Sequence, residues 1–282
     1  MIPSIKKNLE NNIVYLLTLI NINLAKKFLF RKELSVKNNR TSRTEIEILL
    51  LPFFLKDNFY FIDVGANRGL YCFFAEKFIP EECIIAFEPI PYLAKSLRRL
   101  FPLSQVEQKA LSSSRETTTL FIPLNYKRLT VDTRSTLELN SEDLKLGFEK
   151  IAIETTTLDD LLLNQKNIRV SLIKIDVEGH ETKVILGAIN LLKTQKPFLI
   201  IEIESRHHKG DIREVFDLLI SLNYGIYYLD KAKLQLRSTF ETMLSNMTYP
   251  NNLQVNNNFV FVPIENLSII DSINAQLTHN HK

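Results

Sequence analysis

The apolar residues of this chain fall into short unbroken runs, and between those runs they recur every three or four positions. An unbroken run of four to eight suits a strand buried on both faces, whereas the longer period suits a helix with one face turned inward. Residues 59–64 form the first run, and 70–78 the first helix after it. A second run covers 83–88, and Pro91 then opens a helix with Leu93, Leu97, Leu100 and Phe101 on one face. Residues 105–111 read as a third strand, and 117–122 as a segment that pairs antiparallel with 151–156. Thr157 caps the next helix, with Asp160 three residues on. Residues 171–176 are again a buried strand, followed by a helix over 181–192 with Val184, Ile185, Ala188, Ile189 and Leu192 inward, and by a strand at 198–203. Asp211 and Glu214 have capping-box spacing for a helix to 222 whose core face is Ile212, Val215, Phe216 and Leu219. Strands at 225–229 and 258–262 complete the sheet, 251–258 is the loop between them, and 45–55 is expected to be a helix leading into the first strand.

Strands alternating with helices predict an α/β fold, a Rossmann-like doubly wound, mainly parallel sheet of about seven strands with helices on both faces. Residues 56–263 make that domain, preceded by a helical arm at 1–55 and followed by a tail at 264–282; the polar stretch 123–150 reads as an insertion that covers a site. Ligands of such sheets bind at the carboxyl ends of the strands. Four carboxylates stand at those ends: Asp63, Glu88, Asp176 and Glu202. One alone reads equally well as a solvated loop acid or a helix cap; four in register point to a ligand.

The first strand runs into Asp63-Val-Gly-Ala-Asn-Arg-Gly69. Gly65 and Gly69 would let the backbone turn sharply and approach a ligand. The spacing departs from a dinucleotide fingerprint, because the second and third glycines of G-x-G-x-x-G counted from Gly65 fall on Asn67 and Leu70. A pyrophosphate would meet side chains there. A ligand with an adenosine end and an amino-acid end but no phosphates needs no such bare backbone, and S-adenosylmethionine fits that description.

Composition narrows the class more than the chemistry. With 45% hydrophobic and 24% charged residues among 282, the chain is neither disordered nor a multi-span membrane protein. Cys72 and Cys83 are too few for a disulfide framework or a cysteine-ligated zinc site, which favours a reducing, cytoplasmic setting. The net charge of +3 hides an asymmetry: residues 1–45 carry +6 and the remainder −3. A mildly acidic body argues against nucleic acid, whereas the basic arm suits an anionic membrane surface or a second subunit. Its apolar run at 13–25 is too short to span a bilayer and lacks a cleavage site, so it reads as a helix packing on the domain, on a partner subunit or on a membrane surface.

Taken together, the motifs resemble the FkbM-type family of class I S-adenosylmethionine-dependent methyltransferases. The matching pieces are Asp63 to Gly69, Phe87-Glu-Pro89, Ala110-Leu-Ser112, Thr157-Leu-Asp-Asp-Leu161, Lys174-Ile-Asp-Val-Glu-Gly179 with Glu181, and Lys196-Pro197 leading to Glu202, in the family's order and spacing over 59–204. The resemblance implies that the turn Asp63, Gly65, Asn67, Gly69 holds the methionine end of the cofactor, that Glu88 takes the ribose hydroxyls, that Ala110 lies near the adenine, and that Asp176 and Glu178 border the methyl group and the acceptor. A carboxylate at the end of the second strand can accept two hydroxyl hydrogen bonds, which agrees with that role for Glu88. The resemblance further implies a small-molecule or glycan acceptor, most often a hydroxyl on a sugar or secondary metabolite.

Methyl transfer from a sulfonium asks the protein to align the acceptor and help remove its proton. The candidate catalytic residues are Asp176, Glu178, His180 and Glu202, with His207 and His208 as further imidazoles near the expected site. Asp176 also belongs with the cofactor residues, since a carboxylate beside a sulfonium offsets its charge. No metal is assigned, although Asp176 and Glu202 are the kind of pair that holds a divalent cation. Two alternatives stand beside methyl transfer: an NAD-type Rossmann enzyme acting on a sugar, and a catalytically silent methyltransferase-like binding module.

Overall fold

The computed structural model describes residues 14, 17–19, 21–30, 45–124, 135–137, 147–164, 167–204, 213–230, 235–238 and 257–279. At its centre is β1 (Tyr60–Val64), whose residues beyond Tyr60 are buried, as the run of aromatic and β-branched side chains requires. It pairs in parallel with β2 (Ile84–Phe87) on one side and β7 (Val170–Ile175) on the other. The sheet extends through β3 (Gln105–Glu107) beyond β2 and through β8 (Phe198–Glu202) beyond β7, both parallel. Next to β8 lies β11 (Asn258–Pro263), antiparallel to β8 and to its other neighbour, β9 (Tyr224–Asp230).

The main sheet has eight strands where about seven are expected. The added one is β10 (Gln235–Arg237), a three-residue edge strand that pairs antiparallel with β9. Its single buried residue, Leu236, gives too short a pattern to read from sequence. The run 105–111 also divides. Only Gln105–Glu107 joins the main sheet; β4 (Ala110–Leu111) turns away into a three-stranded sheet with β6 (Phe148–Thr156) and β5 (Thr117–Pro123). Ala110 therefore lies not at the end of the third strand but beside Thr155 of β6. The β5–β6 pairing is antiparallel, Thr117 opposite Glu154 through Pro123 opposite Phe148, as the alternation of 117–122 and 151–156 predicts.

Helices cover both faces. On one lie α1 (Ile22–Leu29), α2 (Leu51–Phe54, entered through a 3-10 turn at Ile46–Leu50), α3 (Leu70–Ala75) and the late α9 (Ile269–His279). Ala25, Leu51, Phe54, Cys72 and Ile273 from these segments share one apolar core with Phe61 and Leu172 of the sheet. Lys26 of α1 is buried in that face, paired with Glu76 and Glu81 and set 4.2 Å above the Phe101 ring, so the described part of the arm packs on the domain. The opposite face carries α5 (Leu158–Asn164), α6 (Glu181–Leu186), α7 (Ile189–Gln195) and α8 (Arg213–Ser221), with Leu158, Val184, Leu191 and Phe216 against Ile62, Ile173 and Leu199. Full burial of side chains of this size contributes roughly 1.5–3 kcal/mol each. The remaining helix, α4 (Pro91–Leu100), bridges the first face, through Leu97, and a satellite cluster under the small sheet, through Leu93.

The helix expected over 181–192 is two helices. The break falls at Gly187, where the Ser112 carbonyl oxygen comes so close that a Cβ would stand 2.0 Å from it. The second helix is capped from elsewhere: Asp159 accepts the N–H groups of Asn190 and Leu191 at 3.0 and 2.9 Å. Thr157 accepts the Asp160 N–H at 3.0 Å, as expected for the cap of α5. His207, His208, Asp211, Ile212, most of the 123–150 insertion, and most of 1–21 and 31–44 lie outside the described residues. Among the described residues, no helix is long and apolar enough to cross a membrane.

Candidate active site

Where β1, β2 and β7 end, the backbone turns out of the sheet and leaves an open cleft. Its wall beyond β1 is the turn at Gly65 and Asn67. Gly65 adopts φ +77° and Gly69 φ +83°, the left-handed region that the sharp turn requires. Both glycines face protein. A Cβ on Gly65 would stand 1.9 Å from the Asp176 carbonyl oxygen, and one on Gly69 would strike Phe101 and Leu97 at 2.6 and 2.7 Å. Close packing of the turn on β7 and α4 is what the missing Cβ serves at both positions, and Gly65 also lines the cleft. Asn67 is left-handed as well, φ +50°, and its N–H donates to Glu88 Oε2 at 2.8 Å.

Glu88 follows β2 directly and is almost wholly buried, yet it lines the cleft. Its other oxygen, Oε1, accepts the Ile90 N–H at 2.8 Å. Two backbone donors thus fix the plane of the carboxylate, and each oxygen has a second acceptor direction by its chemistry. Ile90, Ala110, Leu111, Leu120 and Leu137 make an apolar wall beside it.

The far end of the cleft is the loop after β7. Asp176, Val177, Glu178 and His180 line it. Glu178 and Gly179 take φ +53° and +99°, a double left-handed turn that the Thr136 hydroxyl holds by donating to the Glu178 carbonyl at 2.8 Å. Ser135 and Leu137 on either side of Thr136 also line the cleft, so the described part of the insertion does border the site. His180 is buried, with Nε2 3.0 Å from the Ser112 hydroxyl. Burial raises Asp176 well above the ordinary carboxylate range; Lys174 opposes that, and Glu202, Glu45 and Glu178 add to it.

Of the sequence-derived candidates, Gly65, Asn67, Glu88, Ala110, Asp176, Glu178 and His180 meet at this cleft, whereas Asp63, Gly69 and Glu202 do not line it. Position along the strands accounts for the difference: Asp63 and Glu202 still belong to β1 and β8, whereas Glu88 and Asp176 stand one residue past the ends of β2 and β7. Asp63 points to the α3 face, where it accepts a hydrogen bond from the Cys72 thiol at 3.2 Å, and burial raises its pKa to about 6. Glu202 is on the same face, 3.9 Å from the Lys174 ammonium, which also donates to Asn258 Oδ1 at 3.0 Å. Sequence reasoning missed Lys174 and Asn258 as members of this buried group, and it pointed to the 123–150 insertion as a whole without singling out Ser135 and Leu137 as walls of the cleft. A charged residue inside the apolar run 170–175 was the one legible signal. No group of three or more His, Cys, Asp or Glu side chains among the described residues is arranged to hold a metal.

The family model for the methyltransferase FkbM domain matches residues 63–226, which span β1 to β9 and every residue of the cleft. The chain belongs to this family. It is a methyltransferase of Rossmann-like fold, and its methyl donor is S-adenosylmethionine. "Methyltransferase 1" of Beauveria bassiana (strain ARSEF 2860) is 26% identical over 229 residues, covering 72% of this chain and 90% of that protein. "Methyltransferase sdnD" of Sordaria araneosa is 27% identical over 159 residues, covering 47% of this chain and 61% of that protein. Among solved structures, methyltransferase FkbM from Methylobacillus flagellatus KT aligns with a TM-score of 0.45 at 15% identity, over 73% of this chain and 44% of that one. The residues of this FkbM-domain methyltransferase fit the donor. The buried, doubly anchored Glu88 suits ribose hydroxyls, the apolar wall around Ala110 suits a purine, and the acidic end at Asp176 suits a sulfonium.

Proposed function

We propose that this methyltransferase methylates a hydroxyl oxygen on a sugar, glycan or secondary metabolite, at the Asp176–His180 end of the cleft. The supporting observation is the convergence there of Asp176, Glu178 and a buried His180 on the cleft that Glu88 closes at the other end. When bound, the donor supplies a methyl carbon already activated by its positive sulfur, so that the acceptor oxygen attacks, the carbon–sulfur bond breaks and the sulfur leaves neutral. The protein then has two tasks, alignment and proton removal. Glu88 takes the ribose hydroxyls, the turn at Gly65 and Asn67 holds the methionine end, and Ala110 leaves room beside the adenine. Asp176 faces the sulfonium and aligns the acceptor hydroxyl. Its attraction for the positive charge falls as the methyl group leaves, so its service is positioning. His180, whose ring is oriented by Ser112, receives the proton, with Glu178 at the mouth. Asp63, Gly69 and Glu202 support the site from behind the strand ends.

The test is calorimetry with S-adenosylmethionine, S-adenosylhomocysteine and NAD, followed by mass spectrometry of a panel of hydroxylated sugars and metabolites after incubation with the donor. Binding of the first two ligands and methyl addition to oxygen are expected. Addition to nitrogen or carbon with the hydroxyls untouched would overturn the oxygen assignment.

A further inference from the structure

Thr136 is tied to two separate walls of the cleft at once. Its backbone forms an antiparallel bridge with Phe121 of β5: the Phe121 N–H donates to the Thr136 carbonyl at 2.9 Å, and the Thr136 N–H donates to the Phe121 carbonyl at 3.0 Å. Its hydroxyl reaches the other way and donates to the Glu178 carbonyl, in the loop after β7, at 2.8 Å. In extended backbone the side chains before and after a residue point to the side opposite its own. Thr136 is accordingly buried, while Ser135 and Leu137 are both half-buried and line the cleft. Leu137 also packs against the apolar cluster of Ile90 and Leu120, which gives this wall a fixed backing.

The carbonyl that Thr136 holds belongs to the peptide between Glu178 and Gly179, where the chain is left-handed at both residues, φ +53° and +99°. Glu178 has a Cβ, so this conformation is strained and persists only where surrounding contacts enforce it. The plane of that peptide sets the direction in which the Glu178 side chain leaves the loop and the way the chain enters His180. From its other side, the Gly179 N–H donates to Glu181 Oε1 at 3.0 Å. A threonine suits the task, because its branched Cβ leaves few rotamers and holds the hydroxyl at a defined place. We propose that Thr136 is a positioning residue for methyl transfer: its hydroxyl locks the loop bearing Glu178 and His180 against the Ser135–Leu137 wall, and the two together shape the space that receives the acceptor. This deepens the reading under "Proposed function" and rests on the acceptor lying at that end of the cleft. A hydroxyl that only satisfied the carbonyl would support stability and leave turnover of the folded protein alone.

The experiment is steady-state kinetics on the wild type, Thr136→Val and Thr136→Ser at a temperature where all three are folded, with calorimetry of S-adenosylhomocysteine beside it. Valine keeps the shape and removes the donor; serine keeps the donor. The acceptor is whichever compound of the panel the wild type methylates, at oxygen, nitrogen or carbon, so a failure of the oxygen assignment does not decide the outcome. A small misplacement of reacting groups is costly, so the expected result is a kcat lowered at least about tenfold in Thr136→Val, with kcat in Thr136→Ser and S-adenosylhomocysteine affinity in both variants within about threefold of the wild type. Thr136→Ala carries the same expectation as Thr136→Val and replaces it in the comparison with Thr136→Ser should the valine variant fail to fold. A smaller loss in Thr136→Val, an equal loss in Thr136→Ser, or a loss of S-adenosylhomocysteine affinity as large as the loss of turnover would overturn the proposal. Near-normal turnover in Asp176→Asn and His180→Ala, measured with the same acceptor, would instead remove the placement of the acceptor at this end.

Discussion

The N–H of Asn67 and the carboxylate of Glu88 meet at 2.8 Å, joining the turn after β1 to the end of β2 across the mouth of the cleft. The contact depends on Asn67 holding a left-handed conformation, which asparagine tolerates better than most residues. One residue therefore shapes the turn while its backbone orients the acid that faces the ligand.

Glu88→Ala is expected to weaken S-adenosylhomocysteine binding by about 1.5–3 kcal/mol, the scale of hydrogen bonds to a charged group. Glu88→Gln should fall between, because an amide keeps one acceptor but offers its NH₂ to the Asn67 or Ile90 N–H. Calorimetry decides; an affinity unchanged in both variants would take Glu88 out of the binding site.

Gly65→Ala should destabilise the whole domain and not the ligand contact alone. The new methyl group would overlap the Asp176 carbonyl oxygen, a backbone atom that cannot rotate away, at a φ that L-residues rarely adopt. A loss of at least about 2 kcal/mol is expected from that strain and displacement. Urea denaturation checks it, and a midpoint within experimental error of the wild type would show that the junction of β1 with β7 is looser than described.

Asp63 gives the fold a pH dependence of known sign. Burial raises its pKa from 3.8 to about 6, with the Cys72 thiol and Lys174 opposing. A carboxyl whose folded pKa lies above its unfolded value binds its proton more tightly when folded, so its contribution is present below 3.8 and is lost as pH rises through about 6. Asp63→Asn should remove that loss. Relative to the wild type it should be more stable by roughly 2–3 kcal/mol at pH 7.5, and the difference should shrink towards zero near pH 4. Thermal denaturation across that range is the measurement. A variant less stable at pH 7.5 would mean that the ionised carboxylate, through Lys174, is needed for folding.

The strands and their order of use were legible because a buried parallel strand admits few polar residues, so β1, β2, β7 and β8 announce themselves and place their terminal acids. Which acids face the cleft was not legible. That depends on where each strand stops: Asp63 and Glu202 are still residues of β1 and β8, whereas Glu88 and Asp176 stand one residue past β2 and β7, where the chain leaves the sheet to line the cleft. The two glycines were read as letting the backbone turn sharply and approach a ligand; both take the left-handed φ of that turn and Gly65 lines the cleft, while the space a Cβ would occupy is filled by the Asp176 carbonyl and the Phe101 ring. Such contacts join residues more than 30 apart in sequence, and no local pattern carries them. The same holds for Thr136, whose hold on Glu178 crosses 42 positions.

The chemical step is tested by separating alignment from proton removal. Asp176→Asn keeps the shape of the loop, since its backbone N–H still bonds the Val64 carbonyl at 3.0 Å, but it removes the charge that faces the cleft. Loss of alignment alone costs on the order of a hundredfold in turnover. His180→Ala, by contrast, removes the proton acceptor and leaves Asp176 in place, so donor binding should be kept while turnover falls by about 10²–10⁴-fold, the usual contribution of a positioned base. The two variants should also differ in their response to pH, because solvent hydroxide can replace a missing base and cannot replace a missing positioning charge. Turnover of His180→Ala should therefore recover as pH rises, and that of Asp176→Asn should not. Ser112→Ala supplies the intermediate case: it leaves the imidazole but removes its partner at 3.0 Å, and a partial loss of turnover with unchanged donor affinity is expected. Near-normal turnover in both Asp176→Asn and His180→Ala, measured with an acceptor that the wild type methylates, would place the chemistry outside the loop that follows β7.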